Sequence, residues 1–198
     1  MTQPTDCDTS GLEASGTSPI FDPAAQTREW VERVVVGLNF CPFAKRELIQ
    51  QRINFRIMEE DLERALWSLV NECQRLDADG NIETSLLIFP AGLNDFHSFL
   101  LVVEMATDLL LEQGYEGVYQ LATFHPDYCF EGSEADDPAN YTNRSPYPTL
   151  HLIREASLER ALEHYPDPES IPENNINKAR ELGLEKMQQL LGNCLTSR

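Results

Sequence analysis

The residues best suited to chemistry lie in one segment, residues 124–154, with the sequence FHPDYCFEGSEADDPANYTNRSPYPTLHLIR. The segment contains two histidines, His125 and His151, five acids before Asn140 and a single arginine, Arg144. Histidine titrates near neutral pH and commonly serves as a general acid or base. The aromatic side chains of this segment give it enough apolar surface to pack, unlike a flexible linker. We therefore interpret it as an ordered functional loop.

His125 is the first candidate catalytic residue, and Asp127 is the candidate carboxylate that orients it or binds a metal. His125 ends an apolar run that predicts a strand, and the proline after it favours an extended conformation at His125. The alternative is a simple turn, in which Asp127 bonds its own backbone. His151, further along the segment, is the second acid/base candidate.

Arg144 and its neighbours Asn140, Tyr141 and Asn143 are the candidate substrate-binding residues. A guanidinium group binds carboxylates and phosphates through paired hydrogen bonds, and the neighbouring amides can complete such a cradle. The alternative is that Arg144 neutralises the nearby acids in a structural ion pair. The sequence leaves both interpretations open.

Cys41 is a further catalytic candidate because of its sequence context, Cys41-Pro42-Phe43-Ala44. This tetrapeptide is similar to the motif with which omega-class glutathione transferases and glutaredoxins place a thiolate at a helix N-terminus. Those folds need a proline before the third strand, which residues 81–84 lack, and no resolving cysteine is nearby. Thiol redox chemistry is therefore the minor interpretation, and the alternative is a partly buried cysteine in a Pro-Phe turn.

Metal binding has little support in the sequence. His125, Cys129 and His151 are metal-ligand types, and Asp127 or Cys41 could complete a mononuclear site. However, neither C-x-x-C nor H-E-x-x-H spacing is present. We predict no metal site, and the sequence identifies no cofactor.

Charge restricts the class of partner. The chain has 33 acids and 15 bases, a net charge of -18, which repels phosphate backbones and anionic lipid headgroups. We predict a small anionic ligand rather than nucleic acid or a membrane. No apolar stretch is long enough for a membrane helix, no secretory signal is visible, and the five cysteines are widely spaced. These features predict a soluble cytoplasmic protein, and they leave the oligomeric state open.

The fold expected from the hydrophobic pattern is α/β. Residues 1–20 are rich in Thr, Ser, Asp, Gly and Pro and predict a disordered tail, so a single domain is expected over residues 21–198. Strand patterns alternate with helix patterns, which favours a small, mainly parallel or mixed sheet flanked by helices. The predicted strands are residues 53–57, 84–89 and 118–124, with helices at 59–76, where Cys73 lies on the apolar face, and after Asp95.

The remaining elements are expected from local signals. Asp22-Pro23 predicts the start of a first helix that ends near residues 37–39. Residues 149–154 fit either a strand followed by a helix capped by Ser157 or the start of one helix, and we favour the strand. Ser170 and Glu173 have the spacing of a capping box that opens a C-terminal helix.

Parallel strands would bring the candidate site residues together at one edge of the sheet. The carboxyl ends of parallel strands share one edge of a sheet, and ligands bind at that edge in open α/β proteins. His125 would then lie near residues 90–92 and residues 59–60. We also expect His125 and Arg144 to meet in a water-accessible hollow.

Three motifs in the chain resemble the bacterial and plastid family catalogued as domain of unknown function 1415 (DUF1415). They are GLNFCPFA at residues 37–44, FHPDY at residues 124–128, and NYTNRSPYP at residues 140–148 followed by LHL. The resemblance covers about residues 30–176, with one departure, Phe40 in place of the expected leucine. It implies no activity, and it places seven candidates in signature segments: Cys41, His125, Asp127, Asn140, Asn143, Arg144 and His151.

The leading hypothesis from the sequence is a cytoplasmic small-molecule enzyme that acts on an anionic substrate. His125 would be the acid/base, Asp127 its partner, and Arg144 the anion-binding group. The competing hypothesis is a non-catalytic binding or structural protein, in which the same loop is a rigid hydrogen-bonded plug. A thiol-redox protein that uses Cys41 is the third.

Overall fold

The computed structural model describes residues 22–196 and confirms the α/β class. The predicted tail, residues 1–20, lies outside the described residues. The strands are β1 Ile53–Ile57, β2 Thr84–Ile88, β3 Tyr119–Phe124 and β4 Thr149–Arg154, and a 3₁₀ turn spans Pro138–Thr142. The helices are α1 Pro23–Trp30, which continues as a π-helix over Val31–Val36, α2 Ala44–Ile49, α3 Leu62–Ala78, α4 Phe96–Glu112, α5 Glu155–Glu163, α6 Ile171–Leu182 and α7 Leu184–Thr196.

The four strands form one mixed sheet in the order β1-β2-β4-β3. β1 is parallel to β2, and β4 lies antiparallel between β2 and β3, so β1, β2 and β3 all run in one direction. The expectation that these three strands share one carboxyl edge is therefore confirmed. β4 begins at that edge, because Thr149 pairs with both Ile88 and Phe124.

The two faces of the sheet have separate cores. α3 and α4, which connect the parallel strands, pack on one face against Leu87, Leu150 and Leu152. Cys73 is fully buried in this core, as its helical spacing predicted. α1, α6 and α7 pack on the other face, where Trp30 and Ile88 are buried. Side chains alternate between faces along a strand, so register decides which core each residue joins.

Aspartate caps begin the three helices that carry most of this packing. Asp22 accepts the backbone N–H groups of Ala24 and Ala25, as predicted. Asp61 and Asp95 cap α3 and α4 in the same way. These bonds satisfy amides that have no partner inside the helix.

Three local expectations were wrong. α5 begins at Glu155 rather than after Ser157, because the extended backbone of Arg154 at the end of β4 leads directly into the helix. The capping box at Ser170 does not form, since Ser170 has helical dihedral angles and its hydroxyl donates to the carbonyl of Asp167. The C-terminal helix is also two helices, separated at Gly183, whose φ of 79° ends α6.

Candidate functional site

His125 lies directly after β3 at the shared carboxyl edge, and its side chain is fully buried. Its ring lies between two aromatic side chains of α4, with centroid distances of 5.1 Å to Phe96 and 5.2 Å to Phe99. The ring therefore packs on the α3–α4 face of the sheet. Its position at the carboxyl edge is the one that the sequence predicted, but the ring is enclosed rather than open to solvent.

Both ring nitrogens of His125 are engaged by the backbone. Nε2 lies 3.0 Å from the carbonyl oxygen of Leu93, and Nδ1 accepts the backbone N–H of Asp127 at 3.0 Å. A carbonyl only accepts hydrogen bonds, so Nε2 carries the proton and the ring is neutral. Burial lowers the pKa of His125, against the opposing effects of the Leu93 bond and the charges of Asp127 and Asp95. Asp127 thus orients His125 through its backbone, while the residue itself is exposed.

Arg144 is held by the loop and not by an acid. Its Nε donates to the carbonyl of Tyr128 at 3.0 Å and its Nη2 to that of Ala135 at 2.9 Å. The guanidinium also lies over the Tyr141 ring, 4.6 Å from the centroid. Within residues 22–196, no carboxylate comes within 4.0 Å of it, and Nη1 has no hydrogen-bond partner. Arg144 therefore does not form the structural ion pair that one interpretation proposed.

The two asparagines of the predicted binding set form hydrogen bonds within the loop and to the end of β3. Asn140 is fully buried; its Oδ1 accepts the N–H of Phe130 at 3.0 Å and its Nδ2 donates to the carbonyl of Glu134 at 2.9 Å. Asn143 donates from Nδ2 to the carbonyl of Thr123 at 3.3 Å. Its own carbonyl accepts the N–H of His125 at 3.2 Å. The side-chain amides therefore point into the loop and the strand end.

Tyr141 and the 3₁₀ turn are anchored by the C-terminal helices. Tyr141 is buried in the core shared with α6 and α7. Asp137 caps the turn by accepting the N–H of Ala139, and its carboxylate binds Arg180 of α6 through bonds of 3.1 and 2.6 Å. The bond to Arg180 holds the pKa of Asp137 below its usual range. The contact with α6 therefore holds this part of the loop in place.

His151 lies on the opposite face of the sheet from His125. It pairs with Ala122 on β3, whereas His125 follows Thr123 by two residues and so faces the other side. The Nε2 of His151 is 2.6 Å from the hydroxyl of Thr84, which itself donates to the carbonyl of Leu152 at 2.5 Å. Thr84 has one proton, so Nε2 of His151 is the donor to it. Burial lowers the pKa of His151 to about 4, and the two histidines do not share a site.

Cys41 is partly buried just before α2. Burial raises the pKa of its thiol, although hydrogen bonds from the backbone of Phe43 and Ala44 act in the other direction. A raised pKa leaves little thiolate at neutral pH, so the surroundings do not activate this cysteine as a nucleophile. Cys41 also lies on a different segment from the loop that contains His125 and Arg144.

No three His, Cys, Asp or Glu side chains in residues 22–196 are arranged to hold a metal ion. Over the same residues, none of the helices combines the length and apolarity needed to cross a bilayer.

The sequence interpretation missed a buried carboxylate, Glu72 of α3. It is fully buried and accepts from Asn54 and Ser85, each at 2.6 Å, with Arg56 at 3.4 Å and Arg75 at 3.7 Å. The available signal was its position between Leu69 and Leu76 on the apolar face of α3, opposite a strand with polar residues at alternate positions. Charged residues are rarely buried unless they are paired in this way.

Comparison with known protein families finds a match over most of the chain. The family model described as "Protein of unknown function (DUF1415)" matches residues 22–189. No curated protein and no solved structure matches the chain. The expected family resemblance is confirmed over most of the chain, and the description of the family assigns no chemistry to it.

Proposed function

The chain belongs to the DUF1415 family of unknown function, and we propose that it binds small molecules that carry a carboxylate or phosphate group, with Arg144 as the partner of that group. The supporting observation is that the guanidinium of Arg144 has no carboxylate partner among the described residues, although five acids precede it in the same loop. An arginine held at two nitrogens and open at the third is suited to an anionic ligand group.

Preorganisation supports a binding role. Two backbone carbonyls and the Tyr141 ring already hold the guanidinium, so a ligand would not have to order a flexible side chain. The buried Asn140 fixes the backbone that leads into Ala135 by bonding Phe130 and Glu134. The signature residues of the loop therefore act, in this proposal, by positioning Arg144.

The charge around Arg144 narrows the ligand class. Glu134 and Asp136 are exposed on either side of Ala135, whose carbonyl binds Arg144, and Asp127 and Glu131 are exposed in the same loop. These carboxylates repel a ligand with several negative charges and attract a positive group. The ligand that fits both features is a small zwitterion, such as an amino acid, with its carboxylate on Arg144 and its ammonium group toward the acids.

Calorimetric titration of the full chain tests this proposal. The probes are glycine, betaine, acetate and inorganic phosphate, with wild type, Arg144→Gln and Arg144→Lys. We expect an amino-acid-type ligand to bind wild type best, and Arg144→Gln to bind it about tenfold or more weakly, as the loss of a charged hydrogen bond predicts. Arg144→Lys should recover only part of the affinity, because a lysine lacks the planar fork.

Arg160 provides the matched control, since it is an exposed arginine of α5 whose guanidinium donates to the hydroxyl of Ser157. Arg160→Gln should bind the probes like wild type. Thermal unfolding of each variant shows whether the loop is intact. Equal binding by wild type and a folded Arg144→Gln variant would refute the proposal, and so would the absence of binding to all four probes.

An acid/base enzyme that acts on the same ligand is the second candidate. A short path of contacts favours it: Arg144 binds the carbonyl of Tyr128, and the N–H of Tyr128 donates to the carbonyl of His125. For catalysis, Nε2 of His125 would have to leave Leu93 and face the ligand. Nitrogen NMR of the imidazole distinguishes the two candidates. A ligand-induced change at Nε2 supports the enzyme, whereas an unchanged, neutral Nε2–H ring supports binding alone.

A further inference from the structure

The outer edge of β1 has backbone groups without hydrogen-bond partners. β1 is an outermost strand of the sheet and pairs only with β2 among the described strands. The carbonyl of Arg52 and the N–H of Met58 bond to residues of β2, so the even-numbered residues between them face β2 as well. The N–H and C=O groups of Ile53, Phe55 and Ile57 therefore point away from the sheet. No hydrogen bond within residues 22–196 reaches them.

A hollow of about 490 Å³ lies along this edge, between α1 and β1. Ile53, Asn54 and Phe55 line it from the strand, and residues between Asp22 and Glu32 line it from α1 and its π-helical continuation. The helix therefore runs along the hollow. An exposed strand edge can accept an extended peptide as a further strand, because the main chain of the peptide supplies the missing hydrogen bonds.

Two charged side chains in the hollow have no ion-pair partner. The exposed guanidinium of Arg28 lies over the Phe55 ring, 4.4 Å from its centroid. Within residues 22–196, no carboxylate comes within 4.0 Å of Arg28, and no base within that distance of the exposed Glu32. The other acids that line the hollow are engaged, one as the cap of α1 and Glu29 with Arg33. The hollow therefore offers one positive and one negative group to a partner.

We propose that this hollow binds an extended peptide segment of another protein, which adds to the edge of β1 as a fifth strand of the sheet. Side chains two residues apart on the added strand would face α1 about 6.8 Å from one another. This spacing is close to the one helical turn, about 5.4 Å, that separates Arg28 from Glu32. The peptide class is therefore one with an acidic and a basic residue two positions apart. Arg144 follows β3, at the opposite edge of the sheet, so this inference is independent of the proposed ligand.

Fluorescence anisotropy of labelled, end-blocked peptides with the full chain tests the proposal. The probes are TVEVKVT and TVKVEVT, which carry the two charges in either order and so cover both directions of the added strand. Wild type should bind one of them with a dissociation constant of about 100 μM or less. TVKVKVT, which lacks the acidic residue, should bind at least about tenfold more weakly, because its first lysine faces Arg28.

Methylation of the peptide main chain tests strand pairing directly. Alternate amides of an added strand face β1, and the others face solvent. Methyl groups on the nitrogens of one alternate set should therefore weaken binding at least about tenfold, since they remove hydrogen bonds to the edge. Methyl groups on the other set should change the affinity little. Equal losses with the two sets would show that only side chains bind, and would overturn the proposal.

A charge reversal in the protein tests the role of Arg28. Arg28→Glu should bind the better probe at least about tenfold more weakly, and it should bind TVKVKVT more tightly than wild type does. Arg160→Glu is the matched control, because Arg160 is an exposed arginine of α5 outside the hollow, and it should bind like wild type. Circular dichroism confirms that each variant is folded. Unchanged binding by a folded Arg28→Glu variant would contradict the proposal.

Two further results would overturn the proposal. One is the absence of binding to both probes at about 1 mM wild-type protein. The other is a wild-type dimer in sedimentation velocity that the probes dissociate, because β1 would then pair with a second copy of this chain.

Discussion

The Nε2 of His125 and the carbonyl oxygen of Leu93 lie 3.0 Å apart, so the residue after β3 is bonded to the segment that joins β2 to α4. The same ring accepts the N–H of Asp127 and packs against Phe96 and Phe99. His125 therefore connects two loops at the carboxyl edge of the sheet. In this conformation its contribution is structural, whatever further role a ligand gives it.

Replacing His125 by alanine should destabilise the protein. The substitution removes a fully buried ring and leaves the Leu93 carbonyl and the Asp127 N–H without partners. Cavity formation and unpaired backbone groups together predict a loss of about 2–4 kcal/mol in the free energy of unfolding. Urea denaturation measures this loss. His97→Ala, an exposed histidine in the first turn of α4, is the control and should change stability by less than about 0.5 kcal/mol. Equal stability of the two variants would contradict this account.

Asn140 should tolerate substitution by aspartate no better than by alanine. Its side chain is both a donor, to Glu134, and an acceptor, from Phe130, and it is fully buried. An aspartate keeps the acceptor but places a buried charge beside the carbonyl of Glu134. We expect each variant to lose about 2 kcal/mol or more of stability, as for buried groups left unpaired. Denaturation with Asn71→Asp as the exposed control measures the effect, and a stable Asn140→Asp protein would contradict it.

The sequence predicted the strands well because each is a short stretch, either apolar throughout or alternating between apolar and polar residues, that is bounded by local signals. Even residues 149–154, which also fit a helix, form a strand as favoured. The edge position of His125 followed from the direction of the parallel strands. What the sequence could not provide is the place of β4 between β2 and β3, which is a non-local pairing. That pairing places His151 on the face opposite His125, and hence separates two residues that the sequence put in one segment.

The roles of the loop residues were harder to predict for a different reason. Asn140, Asn143 and Arg144 have the chemistry of a ligand cradle, but the same donors and acceptors can satisfy the backbone of an irregular loop. Composition does not distinguish these uses, because both need amides and a guanidinium. The contacts do distinguish them. The side chain of Asn140 is bonded to the loop and that of Asn143 to the end of β3, and of these three residues only Arg144 keeps a nitrogen without a partner among the described residues.

Substitution of Glu72 should lower the stability of the protein more than substitution of any exposed acid on α3 or α4. It accepts hydrogen bonds from Asn54 and Ser85 and lies beside the guanidinium groups of Arg56 and Arg75. Removing the carboxylate leaves the Asn54 amide and the buried Ser85 hydroxyl without their acceptor and opens a cavity, which costs about 2–4 kcal/mol. Arg56 and Arg75 are partly exposed, so water replaces their contact with Glu72 at little cost. We expect Glu72→Ala to lose stability in that range by chemical denaturation. Glu104→Ala, at an exposed position of α4, should be close to neutral, and comparable losses in the two variants would refute the role of Glu72.

Stability should fall on mild acidification because of His151. Its pKa is about 4 in the folded chain, against an ordinary value of 6.5, because burial disfavours the charged ring. Below pH 6.5 the unfolded chain binds a proton that folded His151 does not bind until about pH 4. The stabilisation is therefore complete above pH 6.5 and is lost as the pH falls to about 4, by about 3 kcal/mol.

His151→Gln isolates this effect, since glutamine can still donate to Thr84 but does not titrate. The free energy of unfolding is measured by urea denaturation at a series of pH values between about 7 and 4. The free energy of unfolding of wild type should fall by about 3 kcal/mol more than that of His151→Gln over this range. His97→Gln, which replaces an exposed histidine, should give the same pH profile as wild type. The buried His125 is present in all three proteins, so its own titration cancels in the comparison. Parallel pH profiles for wild type and His151→Gln would show that the imidazole on this face of the sheet is freely protonated in the folded protein.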